Sequence, residues 1–398
     1  MRFTSDLAAN GTGPVPAASE KYVRELDGVR AIAVSLVVFA HYQLIPHLPG
    51  GFGVTLFFFL SGYLITTLFY AEYTSTLSIN IPRFYVRRWL RLTPPLVIFV
   101  ILATVFYSVS RTAVNSQPVP AGTVLAALFY YTNYYDLFHG MEPGMVIPFG
   151  ICWSLAVEEH FYLAWPWIIR KNIQNSRIFC LAVIFLCMSV LLWRLAARHI
   201  LLVSADYTYM ATDCRIDSIL YGALLRILFE TPWASGAVRF FHTRTCQIVA
   251  LLALLMTFMI RDENFRQTFR YTIQGIALMP LFTAVLSDDP ETLVRRFLSS
   301  SPMVLLGKLS YSIYLFHLLA RTPGEVYFGS PYGAGSVVSG LLFTGVGAYI
   351  LFIFVERPIA ELRRRFRTKG TLESPGPTIA TLAEGSIIAL PREPTTGA

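Results

Sequence analysis

The sequence predicts an all-α, polytopic membrane protein of about ten transmembrane helices with a short cytoplasmic interfacial helix. Of its 398 residues, 55% are hydrophobic and 14% are charged, and the mean hydropathy is +0.54. Soluble globular domains carry about 25% charged residues. Several runs of about 17–22 residues have few or no charges, and a helix of that length spans a bilayer. Composition and run length together exclude an ordinary soluble domain.

The apolar runs define ten spans within a single membrane domain at 22–362. A further apolar segment at 121–137 ends in an aromatic and polar stretch that includes YYTNYYD. That segment is predicted to be re-entrant or interfacial, because such residues suit the membrane boundary better than its centre. The ten spans are predicted at 29–46, 52–70, 94–110, 149–169, 178–195, 213–229, 245–260, 269–286, 305–322 and 335–355.

The two ends of the chain differ in composition from the membrane domain. Residues 1–21 are polar and rich in Gly, Pro and Ala, and residues 363–398 are basic at first and then rich in Pro, Gly, Thr and Ser. Both are predicted to be disordered tails. The first tail lacks the basic start, apolar middle and cleavage site of a secretory signal, so the first span is expected to be retained.

The distribution of basic residues predicts the orientation in the membrane. With ten spans and the N-terminus inside, the cytoplasmic segments hold most of the 32 Lys and Arg residues, as the positive-inside rule requires. We therefore expect both termini on the cytoplasmic side of the cell (inner) membrane. Topology and anionic lipid account for the net charge of +8, so no nucleic-acid partner is needed. The five cysteines show no metal-ligand spacing and are interpreted as small buried side chains.

Arg30 and His41 lie in the first apolar run, VRAIAVSLVVFAHYQL, with ten residues between them. Ionisable side chains at membrane depth are costly and commonly mark functional sites. Eleven helical steps return both side chains to one face, about 16 Å apart along the axis. The pair therefore indicates one cavity that reaches from the membrane boundary into the interior. The alternative is that Arg30 snorkels to the headgroups while His41 only ends the helix.

A basic hinge, NIPRFYVRRWLRLTPP, separates the second and third spans. Pro82 can start a helix and Pro94–Pro95 can stop it. Arg83, Arg87 and Arg91 recur every four residues and form one stripe on an amphipathic helix. The stripe indicates either an anchor for anionic headgroups or a phosphate clamp, since a guanidinium matches phosphate oxygens.

Glu158, Glu159 and His160 interrupt an otherwise apolar, tryptophan-rich span. Adjacent helical residues point about 100° apart, so the two carboxylates cannot share one role. Paired intramembrane charges mark substrate sites and proton relays more often than packing. A structural salt bridge remains the alternative, because a buried arginine such as Arg30 needs a partner.

Seven segments in chain order resemble the successive motifs of the acyltransferase-3 family of integral membrane O-acyltransferases. The resemblance covers residues 22–360, and several motifs in the right order make it specific. The segments are LDGVRAIAVSLVVFAHY, GVTLFFFLSGYLI, FYVRRWLRLTPP, CWSLAVEEHFYL, CRIDSILYGALL, LGKLSYSIYLFH and FVERPI.

The resemblance implies roles for individual residues. The family's Arg and His separated by ten residues fall on Arg30 and His41, and its Arg-x-x-Arg hinge pair falls on Arg88 and Arg91. Two departures are His160, where the family often has Gln, and Ala31, where it often has Gly. The implied catalytic residues are His41, Arg30, Glu158 and Glu159. The implied donor-binding residues are Arg88, Arg91, Arg87, Ser61 and Tyr63.

The resemblance also implies the reaction. An acyl group, expected to be acetyl, passes from acyl-CoA to a hydroxyl of a sugar-containing acceptor such as a cell-surface glycan or a glycosylated natural product. Acetyl-CoA is the expected co-substrate, and no tightly bound cofactor or metal is predicted. His41 would act as the general base, since an imidazole takes up protons near neutral pH. We expect direct transfer in one membrane domain, without an appended esterase-like domain.

The rival hypothesis is a proton-coupled membrane transporter. Ten spans with intramembrane Arg, His and Glu also fit such a carrier. Common carriers are built from two related halves, and the sequence shows none. The identity of the acyl group and acceptor, the side of the membrane on which the acceptor is used, and the oligomeric state stay open at this point.

Overall fold

A computed structural model describes residues 23–109, 119–140, 148–286, 292–330 and 332–364. In these ranges the regular structure is entirely helical, which confirms the predicted class. The predicted tails lie outside the described residues, except that the last helix passes the predicted boundary at 362. The helices are α1 (Arg24–His41), α2 (Gly50–Thr76), α3 (Ile81–Val109), α4 (Ala121–Leu128), α5 (Thr132–His139), α6 (Cys152–Asn172), α7 (Ser176–His199), α8 (Ala205–Met210), α9 (Thr212–Phe229), α10 (Ser235–Phe241), α11 (Arg244–Met259), α12 (Glu263–Gln267), α13 (Phe269–Leu286), α14 (Leu293–Leu298), α15 (Ser301–Phe328), α16 (Ala334–Leu351) and α17 (Arg357–Arg364).

Six helices of the described chain are long and apolar enough to cross a membrane, or up to seven if the sharply bent pair of α10 and α11 is one span. Three further predicted spans, 29–46, 149–169 and 213–229, overlap with α1, α6 and α9, although α1 already ends at His41. Each of those three helices carries several charged side chains, which lower its apolarity, and none is among the helices selected by length and apolarity. The protein is therefore a multi-pass membrane protein, and the count of ten stays a prediction. The six are Gly50–Thr76, Ile81–Val109, Ser176–His199, Phe269–Leu286, Ser301–Phe328 and Ala334–Arg363.

The prediction of a separate short interfacial helix between the second and third spans is wrong. α3 runs without a break from Ile81 to Val109, with Pro94–Pro95 inside it. Proline lacks the backbone N–H donor, and its ring clashes with the preceding turn of the helix. At this turn α3 packs against α15, where the Tyr311 hydroxyl donates to the Leu92 carbonyl oxygen at 2.7 Å. Packing against neighbouring helices allows membrane helices to tolerate proline.

The segment predicted at 121–137 to be re-entrant or interfacial forms two short helices, α4 and α5. Tyr130 lies between them with a φ of 57°, a left-handed conformation that interrupts the helix. Each helix has eight residues, or about 12 Å of length, which is too short to cross a bilayer. The segment is therefore not a span.

Two close helix crossings position the site. A Cβ added at Gly62 on α2 would lie 1.9 Å from the Ile219 carbonyl oxygen on α9. A Cβ added at Gly307 on α15 would lie 1.9 Å from the Asp27 carbonyl oxygen on α1. Small residues permit such close backbone approach in membrane bundles. The second crossing brings α1 and α15 together along the face on which both carry titratable residues.

Candidate functional site

His41 is the last residue of α1, and its ring meets a second histidine. Its Nδ1 atom lies 3.0 Å from Nε2 of His317 on α15, and the two ring centroids are 5.0 Å apart. His317 is fully buried, whereas His41 is exposed. His41 therefore does end its helix, as the alternative interpretation held, but it also contacts a buried titratable partner. His41 and His317 are called the histidine pair below.

The hydrogen bonds of the histidine pair define where its protons lie. Nδ1 of His317 is 2.7 Å from the Tyr314 carbonyl oxygen, which can only accept. Neutral His317 therefore carries its proton on Nδ1, so that its Nε2 accepts the Nδ1 proton of His41. This leaves a lone pair on Nε2 of His41. The pair thus presents His41 in the tautomer that can take up a proton.

Further hydrogen bonds hold the end of α1 against α15 and α16. Arg321, one turn after His317, donates from Nη1 to the His41 carbonyl oxygen at 2.9 Å. The Tyr42 hydroxyl donates to the His317 carbonyl oxygen at 2.8 Å and lies 3.2 Å from the Thr344 hydroxyl. The position of the His41 ring is therefore determined by three helices.

Arg30, at the other end of α1, pairs within its own helix. Its Nη1 atom is 2.7 Å from the Asp27 carboxylate, one turn earlier. The direct partner is thus Asp27 and not Glu158 or Glu159 across the bundle. The charge of Arg30 still acts on Glu158, so the guanidinium faces the space that both share.

Four arginines gather around Glu158 and Glu356. The charges of Arg88, Arg91 and Arg30 act on the Glu158 carboxylate, and those of Arg91 and Arg363 act on Glu356. Neither Arg88 nor Arg91 forms an ion pair with an acidic side chain of the described chain. Such a concentration of like charge is suited to a polyanion. The arginine cluster, as it is called below, consists of Arg30, Arg88, Arg91 and Arg363.

Aromatic and hydroxyl groups complete the surroundings of the arginine cluster. The Arg88 guanidinium carbon is 4.9 Å from the centre of the Tyr162 ring. The Tyr162 hydroxyl hydrogen-bonds to Ser61, which also interacts with Glu158. Glu159 is half-buried and interacts electrostatically with Arg88 and Glu158. The structure thus places Ser61, Glu158 and Glu159 beside the arginines.

Arg87 is placed differently from Arg88 and Arg91. Its Nη2 atom pairs with the buried Glu72 carboxylate at 3.3 Å. Glu72 also accepts the Asn80 backbone N–H at 2.8 Å, which ties the end of α2 to the start of α3. Arg87 therefore stabilises the α2–α3 connection. Because its guanidinium is already paired, it is less available to bind a donor than those of Arg88 and Arg91.

Tyr63 and His160 point away from the arginine cluster. The Tyr63 ring packs edge-on against Phe229 of α9, with centroids 6.5 Å apart. Nδ1 of His160 is 2.7 Å from the Thr212 hydroxyl at the start of α9. Both residues therefore contact α9, and neither faces the arginines that α1 and α3 supply.

Sequence reasoning overlooked three residues of the site. His317 and Arg321 lie four residues apart in the predicted span 305–322, so one helix face carries two ionisable groups at membrane depth. That signal could have found them. Asp27 and Arg30 are spaced i, i+3, which is the distance of a helical ion pair. Among the described residues, no group of three or more His, Cys, Asp or Glu side chains could hold a metal ion.

Comparison with known proteins identifies the family. The model of the acyltransferase-3 family, described as an acyltransferase domain, matches residues 23–356. The chain belongs to this family. No solved structure matches the chain. Membership gives the transporter hypothesis no support, and it covers every helix that contributes to the histidine pair.

Named relatives in this family are O-acetyltransferases. O-acetyltransferase OatA of Staphylococcus aureus (strain NCTC 8325 / PS 47) is 28% identical over 355 residues, which are 86% of this chain and 58% of the relative. Peptidoglycan O-acetyltransferase OatA of Listeria monocytogenes is 26% identical over 354 residues, which are 86% of this chain and 56% of the relative. The aligned part thus spans a little over half the length of these relatives.

Proposed function

We propose that this protein transfers an acetyl group from acetyl-CoA to a hydroxyl of a sugar-containing acceptor in the cell envelope, with His41 as the general base. The observation that carries the proposal is the histidine pair, which leaves a lone pair on Nε2 of His41 at an exposed position. Family membership supports acyl transfer. The names of these relatives favour acetyl as the transferred group and peptidoglycan as the first acceptor to test.

The chemistry requires one proton acceptor and one activated donor. Nε2 of His41 takes the proton of the acceptor hydroxyl while its oxygen attacks the thioester carbonyl carbon. The C–O bond forms, the C–S bond of the tetrahedral intermediate breaks, and the CoA sulfur leaves with the proton that His41 returns. His317 holds the Nδ1 proton of His41 throughout, so the same imidazole nitrogen serves as base and then as acid.

The arginine cluster suits the phosphate end of the donor. Arg88 and Arg91 form no ion pair with a described acidic side chain, and guanidinium groups bind phosphate oxygens in two parallel hydrogen bonds. Arg30 lies about 16 Å along α1 from His41. A donor whose phosphates and thioester are joined by a long arm can therefore contact both ends of α1.

We infer that both termini are cytoplasmic and that the protein lies in the cell (inner) membrane. The basic residues between spans favour this orientation. In this orientation the arginine cluster is accessible from the cytoplasm, where acetyl-CoA is made. The exposed face of His41 then lies towards the outside. The acceptor would then meet the acyl group at the outer end of α1.

A direct assay tests the proposal. Purified protein in detergent is incubated with acetyl-CoA, longer acyl-CoA donors and a set of glycans that includes soluble peptidoglycan fragments, and CoA release is followed. We expect acceptor-dependent CoA release that is fastest with acetyl-CoA, together with an acetyl ester on the glycan detected by mass spectrometry. Absence of ester formation with every glycan would contradict the proposal.

A further inference from the structure

A cavity of about 580 Å³ opens between α2, α8, α11, α12 and α13, and nothing in the proposed mechanism uses it. It lies at the end of the bundle that carries His41. Only the first turn of α2 separates the two: Gly50 packs on Ala40, next to His41, while Gly51 faces the Tyr209 hydroxyl in the cavity wall. The volume is in the range of small-molecule sites, about 300–1,000 Å³.

Two buried amides in the cavity wall each have one unused hydrogen-bonding atom. Gln274 and Gln267 are 2% and 6% exposed, and their amide oxygens have no partner among the described residues. Their amide nitrogens are already engaged, by Thr257 at 3.1 Å and by Glu263 at 2.7 Å. These contacts fix the orientation of each amide and leave its oxygen as an acceptor. Buried acceptors without partners are uncommon, and they call for a ligand that donates O–H or N–H groups.

The same cavity carries a rigid aromatic surface. Tyr209 and Phe52 line the cavity and are only half-buried. The neighbouring Tyr271 ring is buried against guanidinium groups, with the carbon of Arg215 at 3.8 Å from its centre and that of Arg270 at 5.0 Å, and it supports this surface from behind. Aromatic faces pack against the apolar C–H face of a ring while a few polar groups orient it. A sugar unit meets both requirements, since its hydroxyls donate and its ring has an apolar face.

The charge of the cavity indicates an anionic ligand. Arg261 and Arg266 line it and are exposed, and neither makes an ion pair with a described acidic residue. The lining also holds Arg270, so three arginines face two carboxylates, those of Asp206 and Glu263. Free guanidinium groups at a rim attract carboxylates and phosphates and raise the rate of encounter.

We propose that this cavity binds the acceptor, and that the acceptor is a sugar chain with acidic substituents. The proposal rests on the function proposed above and assigns it a second site: one unit of the chain is held at Tyr209 and Gln274 while another unit reaches His41. The cavity would then act by positioning the acceptor, and it would take no part in proton transfer.

Equilibrium binding tests the proposal without any chemistry. Isothermal titration of the full-length protein in detergent, with no acyl donor, uses soluble peptidoglycan fragments, whose peptide stems carry carboxylates, and neutral chitotetraose. The variants are Gln274→Leu, which removes the unused acceptor, and Arg266→Gln, which removes an exposed charge and should not disturb folding. Gln247→Leu is the matched control, since Gln247 lies at the opposite end of α11 and donates to Phe241.

We expect the fragments to bind wild type more tightly than chitotetraose does, and each cavity variant to weaken fragment binding by about tenfold, the size of one lost hydrogen bond or charge contact. Gln247→Leu should bind as wild type. Unchanged binding in Arg266→Gln, equal binding of chitotetraose, or no fragment binding at all would overturn the proposal. If the proposed function were wrong instead, CoA release would be absent while cavity-dependent binding remained.

Discussion

Two groups of arginines in this bundle differ in whether an acidic side chain pairs with them. Arg194 and Asp217 are fully buried and pair at 2.8 Å. Arg194 also donates to the Cys214 carbonyl oxygen at 2.7 Å and to the Thr272 hydroxyl at 2.6 Å. Arg88 and Arg91, by contrast, are half-buried and lack ion pairs within the described chain.

The difference separates a structural charge from one available for binding. A buried charge that has a close counter-ion and further hydrogen bonds has no capacity left for a ligand. A guanidinium near the membrane interior without such a partner indicates a site that a ligand completes. The histidine pair belongs to the second group, because Nε2 of His41 accepts no hydrogen bond from the residues that the structure describes. Four predictions test this distinction.

The largest expected effect is at His41. His41→Ala removes the proposed base, and general acid–base catalysis is worth about 10²- to 10⁴-fold in rate. We therefore expect kcat for acetyl transfer to fall by that factor, while the melting temperature and the affinity for acetyl-CoA stay near wild type. Normal turnover in a correctly inserted variant would exclude His41 as the base.

The second-largest effect is expected at the ion pair of Arg194 and Asp217. Arg194→Met leaves Asp217 as an uncompensated buried charge, which costs about 3–5 kcal/mol of stability. The double variant Arg194→Met with Asp217→Leu should recover most of the loss, because both buried charges are gone. Thermal unfolding in detergent measures the effect, with Arg88→Met as the control that should melt near wild type. An equally large loss in Arg88→Met would remove the distinction between the two groups.

The third effect concerns donor binding. Replacing Arg88 and Arg91 together with Ala should raise KM for acetyl-CoA by about 10- to 100-fold, since a hydrogen bond to a charged group contributes about 1.5–3 kcal/mol. The acceptor KM should change much less. Arg87→Ala is the matched control: it breaks the pair with Glu72 and should lower stability while leaving the donor KM unchanged. Equal donor affinity in all of these proteins would indicate that the stripe only anchors the protein to lipid.

The smallest effect is at His317, which acts through His41. His317→Leu removes the acceptor for the Nδ1 proton of His41, and we expect kcat to fall by about tenfold, the value of one net hydrogen bond. Both KM values should stay constant. His317→Gln should restore part of the rate, because its amide oxygen can accept the same proton. A purely structural role would instead lower the melting temperature in both variants and show no recovery with Gln.

Much of the site could be predicted from single segments of the sequence. Arg30 and His41 were identified because both interrupt one apolar helix, and Arg88 and Arg91 because they sit in a basic hinge. The prediction of a separate interfacial helix was wrong because Pro94–Pro95 does not end α3, which packs against α15 at this turn. Local rules fail where packing against a neighbouring helix stabilises a turn that contains proline.

Residue type alone could not tell which side chains of the predicted site lie beside the arginine cluster and which contact other helices. Tyr63 and Ser61 belong to one motif, yet Ser61 meets Tyr162 while Tyr63 packs on Phe229. Arg87 and Arg88 are neighbours, yet only Arg87 meets Glu72. Successive residues of a helix point about 100° apart, so a short motif distributes its side chains among different neighbours.

By itself the sequence determined the helical class, the membrane setting and the residues that interrupt apolar spans, because apolar length and charge are properties of a continuous segment. The tertiary structure alone decided that His317, 276 positions from His41 in the chain, accepts its proton. It also decided that Arg321 donates to the His41 carbonyl oxygen and that Gly51 and Gln274 line one cavity. These contacts depend on how helices far apart in sequence cross, and the close approach of α1 to α15 at Gly307 sets that crossing for the histidine pair.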